Sequence, residues 1–173
     1  MLRWGVLEQD GPVAIRYPRG GNRTYSDSAW CNSGNVREKG LLTRHRIGTD
    51  VTLITYGTLL QNVSDAAIVL AERGINATVL RLLSVQPLPI EEIVAMLAAS
   101  GPVIVVEEVS GNCGIRDTIA YELGKICPER CVDGIDLGCR FVQHGSVQTL
   151  YEHYGLSPQA IADFTMEVRQ REN

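Results

Sequence analysis

From about residue 50 onward, short apolar runs alternate with segments whose apolar residues recur at helical spacing, a pattern that predicts a parallel sheet covered by helices. VTLITY (51 to 56) has the length and β-branching of a strand. Gly57 and Thr58 then open a helix that places Leu59, Leu60, Val63, Ala66, Ala67 and Leu70 on one face, and Gly74 sits where a helix-closing glycine belongs. ATVLRLL (77 to 83) predicts a second strand. After it, Pro89 suits a first helical turn, Glu91 and Glu92 favour the positive helix end, and Ile90, Ile93, Val94 and Leu97 form the buried stripe.

VIVVEE (103 to 108) begins as a continuous β-branched run, which predicts a central strand buried on both faces with a polar exit. Helical spacing returns in IRDTIAYELGKI (115 to 126), VDGIDLG (132 to 138) predicts a further strand, and SVQTLYEHYG (146 to 155) a short helix. In the last helix Ser157 is the N-cap, Pro158 the first helical residue, and Ile161, Ala162, Phe164, Thr165 and Val168 the inner face.

The first 50 residues follow no such rhythm. GPVAIRYP (11 to 18) reads as one isolated strand, and residues 20 to 35, polar and rich in Gly and Ser, read as a linker. VREKGLLT (36 to 43) predicts an edge strand whose charges protect an open edge. A lone strand and a linker ahead of a compact unit suggest a chain that starts inside a larger architecture. The expected division is 1 to 19 as the end of a preceding domain, 20 to 35 as linker, and 36 to 173 as an α/β domain.

Composition narrows the functional classes. The chain has 173 residues, 45% of them apolar, and a net charge of -4, so there is material for a real core and no global positive field for nucleic acid or an anionic membrane. No apolar stretch has the length of a membrane span and the N-terminus lacks a secretory h-region, so a cytoplasmic location is expected. The cysteines, Cys31, Cys113, Cys127, Cys131 and Cys139, are odd in number and irregularly spaced, which argues against a disulfide framework. Cys127 and Cys131 lack a second ligand pair at zinc-like spacing, so no metal site is expected.

Three places can carry chemistry. Arg19 follows the Pro18 kink at the end of a predicted strand, where ligands of open α/β sheets bind and where a guanidinium can grip a phosphate with two parallel hydrogen bonds; an exposed loop arginine is the alternative. EEVSGNCG (107 to 114) joins a buried strand to a helix. Its amides either form an anion-binding mouth, or its glycines serve tight packing with Glu107 and Glu108 at a subunit or domain contact. It matches neither the P-loop nor the full dinucleotide fingerprint. His144 precedes Gly145 and a predicted Ser146 helix cap, a loop position from which an imidazole meets a ligand or its own backbone. Tyr56, Tyr121, Tyr151 and Tyr154 suit packing or an interface better than a platform for bases. No nucleophile elbow or HExxH is present, so no catalytic residue is assigned.

In order along the chain, GPVAIRYPRG (11 to 20), DVTLITYGTLLQNVSDAA (50 to 67), SVQPLPIEEI (84 to 93), VIVVEE (103 to 108), CRFVQHGS (139 to 146) and YGLSPQAIA (154 to 162) resemble the 1-deoxy-D-xylulose-5-phosphate synthases. The first segment is similar to the last strand of their pyrimidine-binding domain, and the remainder to their transketolase-type C-terminal domain. The resemblance implies a three-layer α/β/α unit with a mostly parallel five-stranded sheet. It also implies a homodimeric enzyme that uses thiamine diphosphate and magnesium to condense pyruvate with glyceraldehyde 3-phosphate, releasing CO2. By the same resemblance Arg19 helps hold the phosphate of the aldehyde substrate.

The resemblance places the thiamine and magnesium sites in upstream domains or an upstream subunit, so this chain alone is expected to bind neither and to be catalytically silent. The chain departs from the family pattern at several points. Leu83 and Ser84 stand in place of an Arg-Phe pair, SGNCG in place of a Gly-Gly-rich loop, and Gly138 and Cys139 in place of Pro-Asp. Two alternatives share the scaffold or its loops: the C-terminal domain of a diverged transketolase or 2-oxoacid dehydrogenase beta subunit, and a non-catalytic assembly or regulatory module.

Overall fold

In a computed structural model the described residues are 6–8, 10–13, 41–111 and 113–172. The chain divides into two compact units, Met1–Gly40 and Leu41–Asn173. The expected strand beyond residue 13, Arg19, the linker and residues 36 to 40 fall outside the described residues, and the fold below is that of the second unit.

Five strands form one sheet in the order β1-β3-β2-β4-β5. They are β1 (Leu42–Arg46), β2 (Val51–Tyr56), β3 (Ala77–Leu82), β4 (Val103–Val106) and β5 (Val132–Ile135). β2, β3, β4 and β5 run parallel, and β1 is antiparallel to β3 with a register shift between Arg44 and Arg46. The helices are α1 (Leu60–Glu72), α2 (Ile90–Met96), α3 (Arg116–Ile126), α4 (Val147–His153) and α5 (Pro158–Glu172).

Strand alternation explains the layers. Ile54, Leu80 and Val105 are register partners, and with Leu42, Leu82 and Val103 they meet Ile93 of α2 and Ile119 and Leu123 of α3. Leu53, Val79 and Ile104, one residue out of phase, point to the opposite face. There α1 lies on β2 and β3, burying Val63, Ala66, Ala67 and Leu70, and α5 packs on α1 through a buried side formed by Ile161, Ala162, Thr165 and Val168. The result is a three-layer α/β/α unit with a mostly parallel five-stranded sheet. All four residues of β4 are buried, as a strand covered on both faces requires.

The boundaries differ from the sequence expectation where local signals are ambiguous. Among the described residues the edge strand runs over Leu42–Arg46, with Leu42 in the core and Arg44 and His45 exposed on the sheet edge. Gly57, with φ +65°, opens a short 3-10 turn over Gly57–Leu59, and α1 starts only at Leu60. Pro89 sits one position before α2, its carbonyl accepting from the Ile93 amide at 2.9 Å. Gly74 closes α1 as expected. With φ +79° it lets its own amide reach the Ala71 carbonyl and the Ile75 amide reach the Leu70 carbonyl, both hallmarks of a Schellman cap.

Candidate functional site

The chain leaves β2 toward β3 on one side, and the next strand, β4, returns on the other side of β2. The carboxyl ends of β2 and β4 therefore flank the topological switch point, where open α/β sheets form their ligand crevice. Tyr56 and Thr58 leave β2 there, and Glu107 and Glu108 leave β4.

The two carboxylates, though adjacent in sequence, face different surroundings. Glu107 is 2% exposed. Its Oε1 accepts from the Ile115 amide at 2.7 Å and the Tyr56 hydroxyl at 3.4 Å, and its Oε2 from the Arg116 amide at 3.4 Å. The negative group thus caps the first turn of α3 from a neighbouring strand, satisfying amides that have no partner within the helix and complementing the positive helix end. Gly114 makes this possible, since a Cβ there would collide with the Glu107 carboxylate. The first amides of α3, at the helix start to which the EEVSGNCG loop leads, are therefore occupied from within.

Glu108 is exposed. Its Oε2 accepts from the Thr58 hydroxyl at 2.8 Å and the Tyr151 hydroxyl at 3.1 Å, tying the exits of β2 and β4 to α4. A further bond of 3.4 Å links the Thr58 and Tyr151 hydroxyls. Sequence reading assigned no such role to Thr58 or Tyr151. The signal was present in part, because residues leaving strands at a switch point converge, but the pairing of Glu108 with a helix residue 43 positions away requires the tertiary fold.

Beyond the switch point, the loops after β4 and β5 run side by side. The Leu137 amide donates to the Val109 carbonyl at 2.9 Å, the Gly111 amide to the Gly138 carbonyl at 3.0 Å, and the Ser110 hydroxyl to the same carbonyl at 3.2 Å. Arg116 reaches Asp136 at 3.3 Å, and Asp136 accepts from the Gly138 amide at 2.6 Å. The following segment is anchored by Tyr154, whose hydroxyl accepts from the Gln143 amide at 3.2 Å and whose ring lies 5.5 Å from the Arg140 guanidinium. Ser146 caps α4, accepting from the Thr149 amide at 3.2 Å.

Between these anchors Cys139, Arg140, Phe141, Gln143 and His144 are exposed, Phe141 at 94%. His144 makes none of the hydrogen bonds that hold Glu107 and Glu108. A phenyl ring left in water forgoes about 1.5–3 kcal/mol that burial would provide. The segment is well anchored at the backbone and presents its largest apolar group outward.

The site suits positioning more than proton transfer, since the buried carboxylate has its oxygens engaged by amides and a hydroxyl. Among the described residues no group of three or more His, Cys, Asp or Glu side chains is placed to hold a metal ion. The α3 terminus, already capped by Glu107, offers its first amides to no diphosphate. No helix among the described residues is long and apolar enough to cross a membrane.

Residues 40–161 match the family model of the transketolase C-terminal domain. The chain belongs to the transketolase C-terminal domain family. Among curated relatives, the 1-deoxy-D-xylulose-5-phosphate synthase of Heliobacterium modesticaldum is 34% identical over 172 residues, 97% of this chain and 25% of its own length. The synthase of the same name from Shouchella clausii is 29% identical over 163 residues, 94% of this chain and 26% of its own length. This transketolase C-terminal domain chain therefore spans about a quarter of the curated relatives it matches.

A solved structure described as a split gene transketolase, inactive beta4 tetramer, superposes with a TM-score of 0.65 at 27% identity, covering 78% of this chain and 44% of the other. The family indicated by the segments from YPRG to YGLSPQAIA is thus the one found, with the fold it implied.

Proposed function

We propose that this chain is the C-terminal domain of a 1-deoxy-D-xylulose-5-phosphate synthase, a transketolase-type transferase that condenses pyruvate with glyceraldehyde 3-phosphate using thiamine diphosphate and magnesium. The product of that reaction feeds isoprenoid and thiamine biosynthesis. The observation that carries this reading is the match to synthases of that name over 94% and 97% of the chain, which includes the 11 to 20 segment lying outside the family model.

In this reading residues 1 to 19 complete the pyrimidine-binding domain, 20 to 35 link it to the C-terminal domain, and Arg19 holds the aldehyde phosphate. The carboxyl rim, with Glu108, Phe141 and His144, faces the thiamine-binding domains or subunit, while Glu107 keeps the loop beneath it in shape. The full enzyme is a cytoplasmic homodimer, and this chain supplies no step of the reaction by itself. The solved relative described as an inactive beta4 tetramer of a split gene transketolase supports that silence.

A chimera tests the proposal. In the Heliobacterium synthase this chain replaces the matching C-terminal quarter, and product is followed with thiamine diphosphate, magnesium, pyruvate and glyceraldehyde 3-phosphate. Deoxyxylulose phosphate formed only with pyruvate is expected. Sugar-phosphate exchange without pyruvate would assign the chain to a transketolase instead. Within an active chimera, Arg19→Ala should raise the KM for the phosphorylated aldehyde by a factor corresponding to about 1.5–3 kcal/mol, the range for a hydrogen bond to a charged group. An unchanged KM would remove Arg19 from the phosphate site.

A further inference from the structure

Two of the exposed cysteines stand on the two loops that lie side by side at the carboxyl rim. Cys113 follows the β4 exit and Cys139 the β5 exit, and both thiols are free. The loops are pinned together where the Gly111 amide bonds the Gly138 carbonyl at 3.0 Å, so Cys139 immediately follows one end of that bond. A Cβ placed on Gly111 would lie 3.8 Å from the Cys139 sulfur. The Cys113 amide donates to the Gly111 carbonyl at 2.8 Å. Two residues of chain span at most about 7 Å, which confines the Cys113 backbone to the neighbourhood of the glycine that Cys139 touches. A disulfide requires Cα atoms within about 7 Å, and Gly111, which has no side chain of its own, is the residue that both the Cys139 sulfur and the Cys113 amide approach.

We propose that Cys113 and Cys139 are an oxidative modification site, closing a reversible disulfide that staples the loop after β4 to the loop after β5 when the chain meets a hydroperoxide. One thiol attacks a peroxide oxygen. The O–O bond breaks, a sulfenic acid forms and, with hydrogen peroxide, water leaves. The second thiol attacks the sulfenic sulfur, the S–O bond breaks, and a second water leaves. The pair loses two electrons and two protons in all, and the peroxide is reduced.

The other described cysteines are less suited. Cys127 is half-buried at the end of α3, and partial burial together with the Glu172 carboxylate pushes the Cys131 thiol above its ordinary value. The assignment concerns these two loops alone and stands whether or not the rim docks onto a thiamine-binding domain.

The test uses the 173-residue chain. It is treated with stoichiometric hydrogen peroxide, alkylated, digested without reduction and mapped by mass spectrometry. The dominant cross-link expected joins the Cys113 and Cys139 peptides, is lost on adding dithiothreitol, and is absent from Cys113→Ser and Cys139→Ser. In each single variant the remaining cysteine should instead be trapped by dimedone as a sulfenic acid. Amide exchange at Gly111 should slow on oxidation of the native chain and return to its starting rate on reduction. A dominant cross-link through Cys31, Cys127 or Cys131, or separate oxidation of Cys113 and Cys139 without a link, would overturn the assignment. Far-ultraviolet circular dichroism checks that the serine variants remain folded, as expected for exposed positions.

Discussion

The two rims of the sheet are built to different ends. At the amino rim, backbone meets backbone. Arg130 donates to the carbonyls of Ala98, Ala99 and Gly101 at 2.7–3.1 Å, Asp50 accepts from the Asn76 amide at 2.7 Å, and the Ser100 amide and hydroxyl both donate to the Thr49 carbonyl. Gly48 and Gly101 lie so close to neighbouring main chain that neither has room for a Cβ. At the carboxyl rim only the inner layer is closed in this way, by Glu107. Outside it stand Glu108, Cys139, Phe141 and His144. A rim with its polar groups paired inside and a phenyl ring outside is ordered without being covered, which is what a surface that meets another domain requires.

Two glycines with similar backbone angles give the sharpest way to break this contrast. Gly101 has φ +72° and faces the Asp50 carbonyl, whereas Gly57 has φ +65° and open space. Gly101→Ala combines left-handed strain with a main-chain collision and should cost about 3 kcal/mol or more. Gly57→Ala meets the strain alone, about 1–2 kcal/mol. Urea midpoints measured on both variants check the difference, and equal costs would mean that the amino rim is no tighter than the carboxyl one.

The next effect concerns the inner layer of the carboxyl rim. Glu107→Ala leaves the Ile115 and Arg116 amides without their acceptor in a buried site, and should lose about 2–3 kcal/mol. Glu107→Gln retains an acceptor and should lose less. Hydrogen exchange at Ile115 should quicken in the alanine variant ahead of global unfolding. Protection left intact there would show that Glu107 is incidental to the α3 terminus. Arg130→Met on the opposite rim removes donors to three carbonyls, but the site is half-buried and water can replace part of what is lost, so about 1–2 kcal/mol is expected by the same denaturation.

These contrasts also mark how far the chain can be read without its fold. β2, β3, β4, α1 and α5 are legible because their apolar residues repeat at the period of the element, and Gly74 ends α1 through a conformation that glycine adopts readily. Strand order is not written locally: the pattern predicts a parallel sheet and the resemblance its five strands, but the switch point between β2 and β4 emerges only from the order of the strands in the fold. Glu107 and Glu108 are chemically identical neighbours, yet one is sequestered and the other exposed. What separates them is a helix start eight residues later and a tyrosine on α4, contacts that periodicity does not encode. The edge strand expected within VREKGLLT is described from Leu42 onward, residues 36 to 40 lying outside the described residues.

The smallest expected effect on folding is also the one that separates the rims most cleanly. Phe141→Ser removes a ring that is 94% exposed, so the urea midpoint of the isolated chain should move by no more than about 0.5 kcal/mol, as for other surface changes. In the synthase chimera the same change should act on assembly, because a ring covered by a partner contributes about 1.5–3 kcal/mol there, or roughly ten-fold or more in the affinity between domains. Expressing the upstream part and this chain as separate polypeptides and measuring their association by sedimentation gives that affinity directly. A variant that folds normally and associates normally would leave Phe141 as an exposed residue of no consequence, and the docking face would have to be sought away from the carboxyl rim.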